Sequence, residues 1–366
     1  MAYMPMLRNA WYAAGWSDEV EAGKLFARKF LNENVVLYRT PDNGMAALQD
    51  RCPHRFAPLS YGKLDGGVIE CCYHGLCYDS SGACVSNPHG RLPGKTVKTY
   101  PVQEKHKLIW IWMGDAKADP AAIPDLSYLD DAPATAFNKG YLNPKCNYFM
   151  LVENIMDLSH VDFLHPNTLA AGGVREVNGK KVGTITGAKQ TVEEDGAAVT
   201  IEWALSDSLP LAIERKHPGL APGGLIDRRS IVRWDPAGAM TLKIISLPKG
   251  CAADEAFVAY NTHLMTPETD TKLHYFFANA RSFAQDDVAL NEAIRKLREM
   301  VFVTEDMWVC EAAQDRIGSE NFWDLRPIVL PTDVGAVRVR RKLEAMIADE
   351  AAQAATKKID ANVAAE

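Results

Sequence analysis

The sequence predicts an α+β protein in two parts, a small β domain followed by a larger α+β domain. Three observations predict it. The chain has 366 residues, enough for two domains or one large one with an ample core. From Trp11 to about Pro120 it reads as short strand-like runs punctuated by turn residues. Beyond that, long β-rich runs are framed by helical periodicities.

In the first part, Val35-Val36-Leu37-Tyr38-Arg39 is a strand and Pro41-Asp42-Asn43-Gly44 has the chemistry of a hairpin turn. Met45 to Asp50 and Val68-Ile69-Glu70 are strands that each lead into a loop, and Tyr78 to Cys84 reads as strand, turn, strand. Leu108 to Met113 is strongly apolar and ends the β domain. The Pro/Asp-rich passage Asp119 to Pro133 is the expected linker, giving domains over 1–120 and 121–366. A helix is expected from Cys146 to Leu164, stopped by Pro166. β-rich runs follow at Gln190 to Trp203, Ser230 to Pro248, Ala256 to Met265 and Leu273 to Ala280. Val288, Leu290, Ile294, Leu297, Val301 and Val309 recur at helical intervals over Asp286 to Arg316. A last helix is expected from Val334 to Ala355, with Lys357 to Glu366 as a frayed tail.

Composition narrows the function. Apolar content of 47% and charged content of 24% are ordinary for a soluble globular chain. A net charge of -7 without a long basic run disfavours nucleic acid and anionic membrane partners. No signal pattern and no bilayer-spanning stretch are present, so a cytoplasmic location is expected. The eight Cys form no spread disulfide framework; Cys71, Cys72, Cys77 and Cys84 crowd together and Cys146, Cys251 and Cys310 are single.

Two constellations carry chemistry. Cys52-Pro53-His54 and, sixteen intervening residues later, Cys71-Cys72-Tyr73-His74-Gly75 form C-x-H and C-x-x-H loops. Two thiolates on one iron and two imidazoles on the other would hold a [2Fe–2S] cluster asymmetrically, raising its potential over an all-Cys cluster. A Cys2His2 zinc site is the plainer alternative, but zinc spacings rarely take this form. The C-x-x-H spacing selects Cys71, leaving Cys72 as a neighbour. The arrangement resembles the Rieske motif.

The second constellation is Glu153-Asn154-Ile155-Met156-Asp157-Leu158-Ser159-His160-Val161-Asp162-Phe163-Leu164-His165. In an ideal helix His160 and His165 stand about 140° apart, too far to share a metal. A π-turn or an early helix end near Leu164 is therefore expected. Two His and one carboxylate would complete a non-haem iron site with open positions. The residues alone leave Glu305, Asp306 and Glu311 as possible third ligands.

Nearly the whole chain resembles the catalytic α subunit of Rieske non-haem iron oxygenases. The resemblance rests on Arg8-Asn9-Ala10-Trp11-Tyr12, the two cluster loops, Asn154-x-x-Asp157-x-x-His160-x-x-x-x-His165 and the Glu305-Asp306 region. Leu76 and Asn279-Ala280-Arg281-Ser282-Phe283 are similar to the vanillate O-demethylase, dicamba O-demethylase and toluenesulfonate methyl-monooxygenase group. The resemblance implies an all-β Rieske [2Fe–2S] domain with ligands Cys52, His54, Cys71 and His74. It implies next an α+β catalytic domain with a central antiparallel sheet flanked by helices, holding mononuclear Fe(II). It places the third ligand at Asp306, with Glu305 as its exposed neighbour. It further implies a head-to-tail homotrimer in which Asp157 bridges His74 of one subunit to His160 of the next.

Asp157, one turn before His160, is expected to reach that ring's second nitrogen. Asn154 is a further ligand candidate, or a group hydrogen-bonded to a ligand. His263 matches a family stretch whose His can meet the substrate carboxylate. Leu297 stands where dicamba-type enzymes carry Trp, nine residues before Asp306. Lys243 and Arg233 are basic candidates for an anionic substrate. With no G-x-G-x-x-G loop and no plant-type C-x4-C-x2-C, a separate flavin- and ferredoxin-type reductase is implied. The implied reaction is hydroxylation of an aryl O-methyl carbon in a vanillate-like aromatic acid by O2, with loss of formaldehyde. The alternatives are methyl or ring hydroxylation of another aromatic acid such as an aryl sulfonate, or a Rieske-type electron carrier, which would need only the first hundred or so residues.

Overall fold

A computed structural model describes residues 3–171, 175–177 and 180–363, and only the backbone of 175–177, 180–182 and 357–363. It divides into two compact units. One comprises Met6–Asp125 and Thr266–Asp270; the other comprises Met1–Pro5, Leu126–Met265 and Thr271–Glu366. This differs from a single cut after residue 120, because Pro267 and Glu268 carbonyls accept from the Leu31 and Asn32 amides of the first unit.

The first unit is built from small antiparallel sheets: β1 (Trp11–Trp16), β10 (Leu108–Trp112) and β9 (Val102–Lys105); β2 (Phe26–Phe30), β3 (Glu33–Arg39) and β4 (Met45–Gln49); and β5 (Lys63–Asp65), β6 (Val68–Glu70), β7 (Cys77–Tyr78) and β8 (Cys84–Ser86). Every side chain of β10 is buried, so it reads as a continuous apolar run instead of an alternation. The β3–β4 turn works as its residues dictate: Asn43 adopts φ 63° and its amide bonds to the Thr40 carbonyl. Val36, Tyr38, Leu48, Leu59, Ile69 and Tyr78 form one apolar cluster that also encloses Cys52 and Cys71.

The second unit holds a seven-stranded sheet ordered β11-β19-β18-β17-β16-β15-β14. Its strands are β11 (Phe137–Leu142), β14 (Lys189–Asp195), β15 (Ala198–Ser208), β16 (Ile226–Asp235), β17 (Ala239–Pro248), β18 (Phe257–Thr269) and β19 (Lys272–Arg281), paired antiparallel. A separate hairpin pairs β12 (Arg175–Val177) with β13 (Lys180–Val182). β16 alternates as a half-buried strand should, with Ile226, Arg228, Ser230, Val232 and Trp234 inward.

The helices are α1 (Tyr128–Asp131), α2 (Tyr148–Met156), α3 (Val161–Leu164), α4 (Val288–Val301), α5 (Met307–Ile317) and α6 (Val334–Val363). A 3-10 turn at Pro120–Ala122 and α1 occupy the expected linker, and α6 continues past Ala355 to Val363. The rest of the expected tail, residues 364–366, lies outside the described residues. α2 and α6 are tied by Arg340, whose guanidinium bonds Glu153 at 2.8 Å and lies over the rings of Tyr3, Phe149 and Phe322. Among the described residues no helix is long and apolar enough to cross a membrane.

Candidate metal centres and active site

The two cysteine loops of the first unit are built alike. The Cys52 amide bonds the Ala57 carbonyl and its carbonyl accepts from Phe56; the Cys71 amide bonds Leu76 and its carbonyl accepts from Gly75. The fourth residue after each Cys therefore needs the left-handed region, φ 62° at Phe56 and 70° at Gly75. These turns bury both thiols while leaving His54 exposed and His74 half-buried. Cys52 Sγ lies 3.6 Å from Tyr78 Oη, and burial, with a smaller push from neighbouring Cys52, pushes the Cys71 thiol up. The imidazoles of His54 and His74 lie 4.4 Å apart between centroids. Thiols inside and imidazoles outside is the asymmetry that a Rieske cluster demands, so the donor set fits that group. Cys72 is exposed and points to no such role.

In the second unit, the expected continuous helix is broken. α2 ends at Met156, Asp157 leaves helical geometry at φ -108° and ψ 94°, a 3-10 turn carries Leu158–His160, and α3 ends at Leu164. The break at Asp157 and the early end at Leu164 together overcome the 140° problem, and the rings of His160 and His165 approach to 5.2 Å. The π-turn considered for this segment occurs instead on the opposite element, over Phe302–Asp306 between α4 and α5. It turns Asp306 inward.

Asp306 Oδ1 lies 3.2 Å from His165 Nε2 and 3.5 Å from His160 Nε2. Ligand atoms of the three side chains all fall within 4.8 Å of one another. Asn154 Nδ2 donates to Asp306 Oδ1 at 3.2 Å, while its own Oδ1 is buried without a partner among the described residues. Burial lowers the pKa of His160 against the opposing pull of Asp306, keeping this imidazole a lone-pair donor. For His165 burial acts the same way, but the Asp306 and Glu305 carboxylates outweigh it and raise the pKa. Two imidazoles and a carboxylate without thiolate are the facial donor set of non-haem Fe(II), and these residues fit it.

Three expectations change here. Glu305 is no exposed neighbour: its Oε2 pairs with His165 Nδ1 at 2.5 Å and accepts from Thr168 Oγ1 at 2.7 Å. Glu311 accepts from the Lys145 amide at 2.8 Å and is turned away from the His pair. The group that meets His160 Nδ1 is the main-chain carbonyl of Asp157, at 2.7 Å, not its carboxylate. That carboxylate accepts from the Ser159 amide and from Thr332 Oγ1, because capping the 3-10 turn directs it away from the ring.

A cavity of about 510 Å³ opens beside the triad, lined largely by apolar side chains including Ile155, Leu158, Leu242, Ile294, Leu297 and Phe302. That size suits one small aromatic molecule. His263 lines it and is fully buried; its Nδ1 meets Tyr275 Oη at 2.7 Å and among the described residues its Nε2 has no partner. Burial, with a smaller push from Arg298, brings its pKa down to about 3, so His263 is neutral. Lys243 and Arg233 do not line the cavity. Lys243 lies over the Tyr260 ring, and Arg233 pairs with Asp235 and Asp195. Arg228, Arg281 and Arg298 do line it, and the sequence had pointed to none of them for that role. For Arg298 a signal existed: Leu290, Ile294 and Arg298 stand four apart, on one helical stripe.

A β unit with a buried dithiol and outer imidazoles, and an α+β unit with a two-His, one-carboxylate triad, define a Rieske non-haem iron oxygenase. Residues 10–101 match the Rieske [2Fe-2S] domain, and residues 145–349 match the vanillate O-demethylase oxygenase C-terminal domain. The chain belongs to the vanillate O-demethylase family of Rieske oxygenase components, which use a [2Fe–2S] cluster and a mononuclear iron. It is 37% identical to the oxygenase component of chloroacetanilide N-alkylformylase of Rhizorhabdus wittichii, over 94% of this chain and 96% of that one. It is 36% identical to the oxygenase component of dicamba O-demethylase of Stenotrophomonas maltophilia, over 95% of this chain and 100% of that one. The crystal structure of dicamba monooxygenase bound to dicamba superposes with a TM-score of 0.84 at 35% identity, covering 95% of this chain and 99% of that one.

Proposed function

We propose that this oxygenase component O-demethylates a methoxylated aromatic acid, vanillate-like in size and charge. The observation that carries the reading is the triad of His160, His165 and Asp306 opening directly onto an apolar, aromatic-sized cavity. Cys52, His54, Cys71 and His74 would hold the cluster, and His160, His165 and Asp306 the iron. When bound, these groups supply single electrons and activate O2 for insertion at the methoxy carbon. The overall balance takes one aryl methyl ether, O2, two electrons and two protons to a phenol, formaldehyde and water.

The chain's own residues do the rest. The apolar wall excludes water and orients the ring. Asn154 holds Asp306 in its inward rotamer, and Glu305 holds His165 with its Nε2 toward the centre. Tyr275 is buried and stays protonated, so its hydroxyl donates to His263 Nδ1. The reverse arrangement would strand both the tyrosyl proton and the Nε2 lone pair. His263 therefore offers Nε2–H to the substrate.

Electrons come from a separate flavin- and ferredoxin-type reductase, and the working assembly is a head-to-tail homotrimer in which the Asp157 carboxylate meets the neighbouring subunit's His74 while its main-chain carbonyl holds His160. The family resemblance supports this part of the reading. Similarity to the toluene-4-sulfonate monooxygenase iron-sulfur subunit of Comamonas testosteroni, 37% identical over 84% of this chain, supports methyl hydroxylation of an aryl sulfonate as a second reading. Formaldehyde assay over a panel of methoxybenzoates, with a surrogate reductase, tests the first. Formaldehyde from none of them, with hydroxymethyl product from toluene-4-sulfonate, would replace it by the second.

A further inference from the structure

The cavity beside the triad contains cations whose compensation differs. Arg228 is neutralised: it forms a two-pronged pair with Glu214 at 2.7 and 2.5 Å, and its remaining donors reach Thr184 O, Ser208 Oγ and Leu209 O. Ser246 also donates to Glu214, so the charge pair is closed. Arg281 spends its terminal nitrogens on neutral oxygens, those of Asn291, Thr135, Ala284 and Asp287. Arg298 is different. Its guanidinium bonds the Asn261 amide oxygen, and among the described residues it has no carboxylate within ion-pair distance. Among the described residues nothing engages the other four of its five N–H donors, and it lines the cavity wall.

Asn261 Oδ1 is itself held by Asn279 Nδ2 at 2.8 Å, and Asn261 Nδ2 by the Leu242 carbonyl at 3.2 Å. The cation is thus braced from β18 and β19, and neither amide neutralises it. Burial lowers the Arg298 pKa to about 10, which still leaves it charged at neutral pH. A charge kept in an apolar cavity without a counter-ion is costly unless a bound group provides one. His263 stands two residues from Asn261 on β18, hence on the same face of the strand, and lines the same cavity as Arg298, so the two can act on one small ligand; its Nε2 has no partner among the described residues.

We propose that Arg298, braced by Asn261 and Asn279, is the receptor for the oxyanion of an aromatic carboxylate or sulfonate substrate, with His263 Nε2–H as a second donor. The proposal rests on the aromatic-acid reading above and assigns the residue that selects for the acid. Guanidinium presents two parallel N–H groups to two oxygens of either anion, which a neutral amide cannot match. Arg298 acts as a specificity-determining residue and takes no part in bond making.

Binding of 4-methoxybenzoate, 4-methoxybenzenesulfonate and the neutral 4-methoxybenzamide is measured by calorimetric titration of the metal-loaded protein, anaerobically and without reductase. The wild-type protein should prefer at least one anion over the amide by about tenfold or more. Arg298→Met should weaken anion binding roughly 10- to 100-fold and leave the amide within about threefold. Arg298→Lys keeps the charge without the fork and should fall between; it serves alone if the Met variant loses its cluster absorption or its circular dichroism. Whichever anion binds more tightly identifies the oxyanion. The proposal is overturned if the wild type prefers the amide, or if both variants bind the anions as the wild type does. Charge discrimination without formaldehyde release would instead sink the demethylation reading and leave the anion receptor standing.

Discussion

Glu305 offers the sharpest test of how the triad is held. Its Oε2 bonds His165 Nδ1 at 2.5 Å while Asp306 Oδ1, from the next residue, faces His165 Nε2 at 3.2 Å. Both imidazole nitrogens are therefore addressed by consecutive residues of one π-helical turn. In Glu305→Gln the amide oxygen can still accept from Nδ1–H, but the charge is gone. A hydrogen bond to a charged group contributes about 1.5–3 kcal/mol and a neutral one about 0.5–1.5 kcal/mol, so the loss is about 1–1.5 kcal/mol. That corresponds to roughly tenfold weaker iron binding, at the low edge of the 10- to 100-fold typical when a ligand's outer partner is altered. Glu305→Ala also strands the Nδ1–H in a 1% exposed ring and should approach about 100-fold. Chelator competition with iron counted per chain is the assay, and the reduced cluster EPR signal is the internal control. The third iron should leave at lower chelator in the order Ala, then Gln, then wild type, with the two cluster irons retained. Equal midpoints for all three proteins, or parallel loss of cluster and mononuclear iron, would refute the reasoning.

Asp157→Asn should retain three irons per chain and fold normally, yet lower reductase-driven turnover at least about tenfold by slowing transfer between subunits; turnover at the wild-type rate removes the relay. Arg340→Met strands Glu153, whose pKa burial already raises, and should cost about 3–5 kcal/mol of stability in denaturant titration. Glu153→Gln combined with Arg340→Met should recover part of that loss, and no recovery would count against a charge-pair origin. In the β unit, burial pushes the Glu33 pKa up, but hydrogen bonds from Tyr100, Lys98 and Arg8 more than offset it and leave the pKa below 4.5. A depressed folded pKa means that this contribution is present above pH 4.5 and is lost as the pH falls through the lower folded value. The denaturant unfolding midpoint of Glu33→Gln should fall less steeply with falling pH in that window than the wild type's.

Much of this was legible because it is local. The C-x-H and C-x-x-H loops carry their own turn geometry, with Gly75 at the position that requires positive φ and Phe56 tolerating it. The four β-rich runs fall on β14 to β19, with Gln190 to Trp203 and Ser230 to Pro248 each spanning a hairpin of two strands, since alternation and turn residues are properties of neighbouring positions. The sequence reads as one helix over Cys146 to Leu164, whereas the chain breaks at Asp157, where the break serves the long-range approach of His160 to His165. Nothing between Ile155 and Leu158 requires it locally.

The sequence by itself pointed to the two-part architecture, the four candidate cluster residues and the candidate His pair, since each is written in short spacings that backbone geometry brings together. The tertiary structure decided which carboxylate joins the pair. Glu305, Asp306 and Glu311 are chemically equivalent in one dimension. Only the π turn after α4 sends Asp306 inward, sets Glu305 behind His165 and leaves Glu311 to the Lys145 amide. The tertiary structure also decided which arginine in the cavity keeps both its charge and most of its donors free among the described residues. Arg228 and Arg298 differ in whether the folded chain brings a carboxylate to them, and that is a fact of long-range packing alone.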